Sequence, residues 1–195
     1  MTSAGRSGTL TSIYAHVTMP FLLREGVNPV LEFTETISIH ARPSTVWDVM
    51  RDIEGWWLAS NPEHETLERL DDRDVLEVGA RLRIRERIGG IPGEATGTIT
   101  QVEPGSAVTW EAEARYRWLG VPVSVEEGVT WRVEPHDRDG ESAKLSAHVW
   151  ATFPPGLRGR LLEAAFTHLL GGVDKDREHA RTELRYLKGR VEQIP

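Results

Sequence analysis

From Leu31 onward, apolar and polar residues alternate in short runs, and the period of that alternation changes only twice along the chain. Phe33, Glu35, Ile37 and Ile39 alternate with Thr34, Thr36 and Ser38, the two-residue period of a strand. Ala41-Arg42-Pro43 ends this run. Val46, Trp47, Val49, Met50 and Ile53 then fall at helical spacing, with Ser44 placed to cap the short helix and Gly55 to stop it. Trp56-Trp57 open a second short helix or turn that ends near Pro62. Six further strands follow at about 65–71, 80–88, 94–103, 107–118, 122–134 and 143–153. Their connections carry Asp-Asp, Gly-Gly-Ile-Pro-Gly, Glu-Pro-Gly, Leu-Gly and Asp-Arg-Asp-Gly, hairpin breakers whose short spacing predicts an antiparallel meander. Pro154-Pro155-Gly156 breaks the last strand. A single helix is predicted from about Leu157 to Val191, long enough at ~1.5 Å per residue to span about 50 Å. The expected fold class is α+β, an antiparallel sheet wrapped around the C-terminal helix with two short helices after the first strand. Such a sheet leaves a cavity against the helix.

Residues 1–30 read as an N-terminal extension to a domain covering 31–192. Gly, Ser and Thr dominate the first dozen positions, which predicts partial flexibility. Ile13 to Leu23 is apolar enough to dock on the body or on a partner subunit, which leaves a homodimer open.

Strand parity predicts what faces the cavity, because alternate residues point to opposite sides of a sheet. Strand 107–118 puts Val108, Trp110, Ala112, Ala114, Tyr116 and Trp118 on one face. Large rings at both ends and alanines between them make either a shallow cavity floor or a seat for the long helix. Strand 80–88 turns Leu82, Ile84, Glu86 and Ile88 inward. Strand 122–134 turns Val125, Glu127, Val129 and Trp131 the same way, and the first strand adds Glu35. A carboxylate on an apolar face is costly unless paired, and its pKa rises, which makes such residues candidates for acid–base chemistry. The helix stripe Leu162, Ala165, Leu169, Val173, Ala180, Leu184 and Leu187 contains Asp176 near its centre, one turn after Gly171-Gly172. Glu86, Glu127 and Asp176 are the catalytic candidates. The ligand-lining candidates are Glu35, Trp57, Ile84, Trp110, Ala112, Ala114, Tyr116, Trp118, Val129 and Trp131, with Leu169, Gly172 and Val173 from the helix. His168 and His179 flank the stripe and are expected on the helix surface. Arg81, Arg83, Arg85 and Arg87 form a row on the outer face, where Glu94, Glu111 and Glu113 are available to pair with them. Parity leaves His148 and Trp150 outside.

Seven tryptophans against four phenylalanines and three tyrosines suit aromatic walls as well as a large core. The net charge of −7 disfavours nucleic acid as a partner. The absence of cysteine removes disulfides and thiolate chemistry and suits a cytoplasmic protein. No apolar run approaches the ~18 residues of a membrane span. No glycine-rich phosphate loop follows a strand, and neither His-Glu-x-x-His nor Gly-x-Ser-x-Gly occurs, so no cofactor is expected. The scattered histidines have no metal-ligand spacing, and no metal is expected.

Several segments together resemble the SRPBCC superfamily, the START-like helix-grip proteins that include polyketide cyclase/dehydrase-type sequences. They are strand 32–39, Ala41 to Asp48 at the start of the helix, Asp52 to Trp57, Gly79 before a strand, Gly97 to Thr100 with Glu103-Pro104, Val108 to Trp110, and Thr182 to Lys188. The resemblance covers about residues 31–192. It implies a seven-stranded antiparallel sheet gripping the C-terminal helix around an apolar cavity. Relatives include aromatase/cyclases, lipid and hormone binders and chaperone-binding modules, and no catalytic motif of theirs transfers onto this sequence. Three functions are therefore expected in order: binding of a small hydrophobic molecule that is aromatic, polyketide-like or lipid-like; a cyclase, aromatase or dehydratase using an inward carboxylate; and a protein-interaction module.

Overall fold

The computed structural model describes residues 31–88, 90–118, 120–154 and 172–194. The extension 1–30 and the first half of the predicted helix, with Leu162, Ala165, His168, Leu169 and Gly171, lie outside them. The elements are β1 (Leu31–Ile39), α1 (Pro43–Met50), α2 (Ile53–Ser60), β2 (His64–Arg69), β3 (Arg81–Ile88), β4 (Ile91–Glu103), β5 (Ala107–Trp118), β6 (Val121–Pro135), β7 (Ala143–Thr152) and α3 (Gly172–Val191). The strands form one seven-stranded sheet in the order β1-β7-β6-β5-β4-β3-β2, antiparallel throughout. Every hairpin from β2 to β7 joins neighbours, and the chain closes by laying β7 beside β1. β1 then contacts α3.

Local chemistry sets the boundaries. α1 begins at Pro43, not at a Ser44 cap. Arg42 stands before the helix and makes no side-chain cap, because the fixed φ of Pro43 already suits the first helical position. Gly55 does not stop α1. It sits inside α2, where the Asp52 carboxylate accepts from its N–H at 3.2 Å and occupies the space a Cβ would need. The Gly-Gly-Ile-Pro-Gly stretch contributes less loop than expected: Ile91, Pro92 and Gly93 already pair with Ile88, Arg87 and Glu86. Gly105 and Gly120, at φ 84 and 83, supply the left-handed turn residues of two hairpins.

The core lies between the concave sheet face and the helices. Trp56, Trp57, Trp110 and Trp131 meet edge to face at centroid distances of 5.0–5.3 Å. Trp56 is wholly buried and donates its indole N–H to the Met50 carbonyl at 2.8 Å, so its ring carries no unpaired donor. Burying a ring of that size contributes about 4–6 kcal/mol of hydrophobic free energy. Leu184, Leu187 and Val191 of α3 pack into the same core. Leu31, Phe33 and Ala180 form a smaller cluster, against which Val173 packs. Among the described residues no helix is long and apolar enough to cross a membrane.

Candidate functional site

The cavity is shaped by rings that leave their own strand. Gly93 of β4 pairs with Tyr116 of β5, and Gly97 pairs with Ala112. A Cβ on Gly93 would strike the Tyr116 ring, and one on Gly97 would lie 2.6 Å from the Trp110 ring. Both rings thus lie across the neighbouring strand, in room that only glycine leaves. This changes the expected role of the alanines. Ala114 is fully buried and Ala112 packs on the core, and neither lines the cavity.

The cavity measures about 160 Å³. Trp57, Ile84, Trp110, Val129 and Trp131 give it apolar walls, while Glu86, Tyr116, Glu127, Asp176, His179 and Glu183 give it a polar region. Of the other lining candidates, Gly172 and Val173 stand at the start of α3 away from it. Glu35 is buried elsewhere: it accepts from Arg177 Nη1 at 2.8 Å and from Arg181 Nε and Nη2 at 2.8 and 3.1 Å. It clamps β1 to α3, and parity could not distinguish it from Glu86 and Glu127, because a buried carboxylate reads the same whichever partner it finds. The side chain of Trp118 and the whole of Leu169 lie outside what the structure describes.

The polar region is one connected network. Tyr116 Oη donates between Glu127 Oε2 at 2.9 Å and Glu86 Oε1 at 3.2 Å. Glu86 Oε2 lies 3.6 Å from His64 Nε2 and 3.8 Å from His179 Nε2. Glu183 Oε1 lies 3.4 Å from His64 Nε2 and 3.6 Å from His179 Nε2, and accepts from the Trp57 indole at 3.0 Å. The two imidazole Nε2 atoms are 3.0 Å apart. His179 was expected on the helix surface. It faces the sheet instead, because His179 and Glu183 continue the same stripe as Asp176, Ala180, Leu184 and Leu187. His64, at the first position of β2, carries no sequence signal of its own. The four-residue spacing of His179 and Glu183 on an otherwise apolar stripe was the one clue available.

Burial dominates the protonation of this network. It pushes the Glu127 carboxyl up to about 8, with the negative charge of Glu86 adding to the effect. It pushes Asp176 up to about 7, and Asp176 Oδ1 is buried without a hydrogen-bond partner. Glu86 is raised and Tyr116 raised well above its ordinary range, again chiefly by burial. For His179 burial acts downward, but the hydrogen bond and charge of Glu183, with Glu86 and Glu63, outweigh it and bring the group to about 10. Glu183 shows the reciprocal result: burial raises it, yet His179, His64 and the Trp57 N–H hold it below the ordinary glutamate value. Chemically, the region presents carboxyls that keep a proton near neutrality beside a carboxylate–imidazole group. His64, His179 and Glu183 offer ligand atoms within 4.8 Å of one another.

The arginine row on the outer face pairs mainly with β2 and β4. Arg85 Nε meets Glu94 at 2.7 Å, Arg83 meets Glu68 at 3.4 Å, and Arg87 meets Glu65, so Glu65 and Glu68 stand where Glu111 and Glu113 were expected. Trp150, expected outside, lies across Gly128 with its indole edge 2.6 Å from where a Cβ would stand, and it is among the residues that line the cavity.

Comparison with curated protein sequences finds none that matches. Solved structures share the fold at low identity. A START superfamily protein from Mycobacterium smegmatis superposes with a TM-score of 0.59 at 15% identity, covering 84% of this chain and 99% of the other. The Zhui aromatase/cyclase from Streptomyces sp. R1128 gives 0.58 at 15% identity, covering 83% and 93%. A conserved protein from Geobacillus kaustophilus gives 0.61 at 15% identity, covering 84% and 96%. The family model described as polyketide cyclase/dehydrase and lipid transport matches residues 30–192. With that match spanning most of its length, the chain belongs to the polyketide cyclase/dehydrase and lipid transport family, and its seven-stranded sheet closed by a C-terminal helix is the fold of the START superfamily protein.

Proposed function

We propose that this chain binds a small, largely apolar molecule bearing an oxygen function, held between the sheet and α3. The observation that carries this reading is the asymmetry of the cavity: tryptophan, isoleucine and valine on its walls, a hydrogen-bonded carboxyl–tyrosine group in one region. The indole N–H groups of Trp110 and Trp131 are buried without an acceptor, although both rings line the cavity. Buried donors of this kind normally have a partner, and a guest's oxygen supplies one. Size narrows the class. An engineered cavity of about 150 Å³ holds benzene, so about 160 Å³ suits one or two rings better than an extended acyl chain. Titration of the protein with 1-naphthol and with decanoate, followed by tryptophan fluorescence, tests this. Saturable quenching by naphthol, lost in Val129→Trp, is the expected result; a naphthol response that never saturates, or one that Val129→Trp leaves intact, rules the reading out.

A second reading is supported by Glu127. A carboxyl that titrates at about 8 beside a tyrosine hydroxyl is suited to deliver and recover a proton at a bound carbonyl. That chemistry matches the cyclase and dehydratase reactions for which the family is described, and one structural relative is an aromatase/cyclase. In that case Glu127→Gln abolishes turnover of a poly-β-keto substrate while naphthol binding persists.

A further inference from the structure

We propose that His64, His179 and Glu183, with Glu86 beside them, form a binding site for a divalent transition-metal ion of the zinc class. The inference is independent of the apolar guest and stands or falls by its own test. Three electron-pair donors from β2 and α3 lie within 4.8 Å of one another, and Glu86 Oε2 from β3 stands beside the two nitrogens. Their separations are 3.0 Å for His64 Nε2 to His179 Nε2, 3.4 and 3.6 Å from those nitrogens to Glu183 Oε1, and 3.6 and 3.8 Å to Glu86 Oε2. Ligands at about 2.0–2.1 Å around a tetrahedral ion stand roughly 3.3–3.4 Å apart. The three edges among His64, His179 and Glu183, 3.0–3.6 Å, bracket that value.

The tautomers strengthen the case. His64 Nδ1 lies 2.7 Å from the Trp57 carbonyl, which can only accept, so that nitrogen carries the hydrogen. His179 Nδ1 lies 3.1 Å from the Glu63 carboxylate, which again accepts. On binding an ion, His179 gives up its Nε2 hydrogen, and both Nε2 atoms then present lone pairs beside Glu183 Oε1. A single proton on one Nε2 can point at only one of its three neighbours and leaves the remaining acceptors facing one another. A divalent ion satisfies the two nitrogens and Glu183 at once.

The surroundings are those of an outer coordination shell. Metal-bound histidines characteristically donate their other N–H to a backbone carbonyl or a carboxylate, which fixes the ring. The Trp57 carbonyl and Glu63 do this here. The carboxylates are oriented too, Glu183 by the Trp57 indole at 3.0 Å and Glu86 by Tyr116 at 3.2 Å. The site is enclosed: the His64 side chain is 0% exposed, Glu86 8%, Glu183 7% and His179 11%. Two imidazoles with a carboxylate at this spacing, and a fourth position open beside Glu86, suit zinc, cobalt(II) or iron(II) and not calcium or magnesium, which take six or more oxygens. Glu86, Glu183 and His179 also line the cavity, so the ion would sit in its wall.

The test uses the full chain, stripped with chelator and titrated with Zn²⁺ or Co²⁺ alone. The expected result is one equivalent bound and, with Co²⁺, the intense visible absorption of four-coordinate geometry. His179→Gln and Glu183→Gln each weaken binding by more than the ~10–100-fold that loss of an outer-shell partner brings, Glu63→Gln weakens it within that range, and Glu103→Gln on the outer surface leaves it unchanged. Absence of uptake, the pale spectrum of six-coordinate Co²⁺, or affinity unaltered in both ligand variants overturns the site. Should the ligand variants fail to fold, the wild-type Co²⁺ spectrum decides alone, together with a Tm that rises with free metal concentration.

Discussion

Replacing Glu127 with glutamine should make the protein more stable, and increasingly so as pH rises. Glu127 is held at about 8 in the fold against 4.5 for an unperturbed glutamate, first by burial and then by the charge of Glu86. The groups facing it are Glu86 from β3, Tyr116 from β5, and Asp176 and His179 from α3. Between pH 4.5 and about 8 the folded chain keeps a proton on Glu127 that the unfolded chain has released. Where the folded state binds more protons, stability falls as pH rises. The difference between 4.5 and about 8 corresponds to about 5 kcal/mol at 1.36 kcal/mol per unit. Glu127 is partly accessible through the cavity, and screening there reduces the expected effect to about 2–3 kcal/mol. Glutamine keeps the shape and still accepts from Tyr116, but never ionises. Urea denaturation of both proteins with chelator present, from pH 5 to pH 9, measures the difference directly. The two stabilities should coincide near pH 5 and separate by about 2–3 kcal/mol at pH 9, with the variant higher. Parallel curves across that range would refute the assignment of Glu127 as a buried, proton-retaining carboxyl.

Gly97→Ala places a methyl against the Glu111 backbone carbonyl and 2.6 Å from the Trp110 ring. Overpacking of this kind costs about 2–3 kcal/mol, so a Tm lower by about 5–10 °C is expected in calorimetry, and an unchanged Tm would contradict the ring-over-strand packing. Glu35→Ala leaves Arg177 and Arg181 without their shared carboxylate. Both arginines are 37–46% exposed, which limits the loss to about 1–2 kcal/mol in urea unfolding; a neutral outcome would mean that the clamp between β1 and α3 contributes nothing.

Strands and their inward faces were legible from the chain because the two-residue period is a property of the local backbone, independent of what lies beyond it. Thus Ile84, Trp110, Trp131 and the inward carboxylates Glu86 and Glu127 could be placed before any tertiary information. Exact helix starts were less accessible. Pro43 and Asp52 displaced Ser44 and Gly55 as the deciding residues, since capping depends on which of several competent neighbours reaches the free backbone groups.

Three matters were decided only by the tertiary structure. The alanines of β5 read as a cavity floor or a seat for the long helix; neither lines the cavity, and the Trp110 and Tyr116 rings beside them lie over Gly97 and Gly93 of β4, a matter of inter-strand geometry. Glu35, Glu86 and Glu127 are equivalent by parity, and only the partners brought by α3 and the other strands separate a structural clamp from a cavity wall. His64 and His179, 115 positions apart, meet because the sheet folds back onto the last helix. Alternation along a strand records which side of the backbone a residue faces. It contains nothing about which distant residue faces it from the other side, and electrostatic chemistry depends on that second fact.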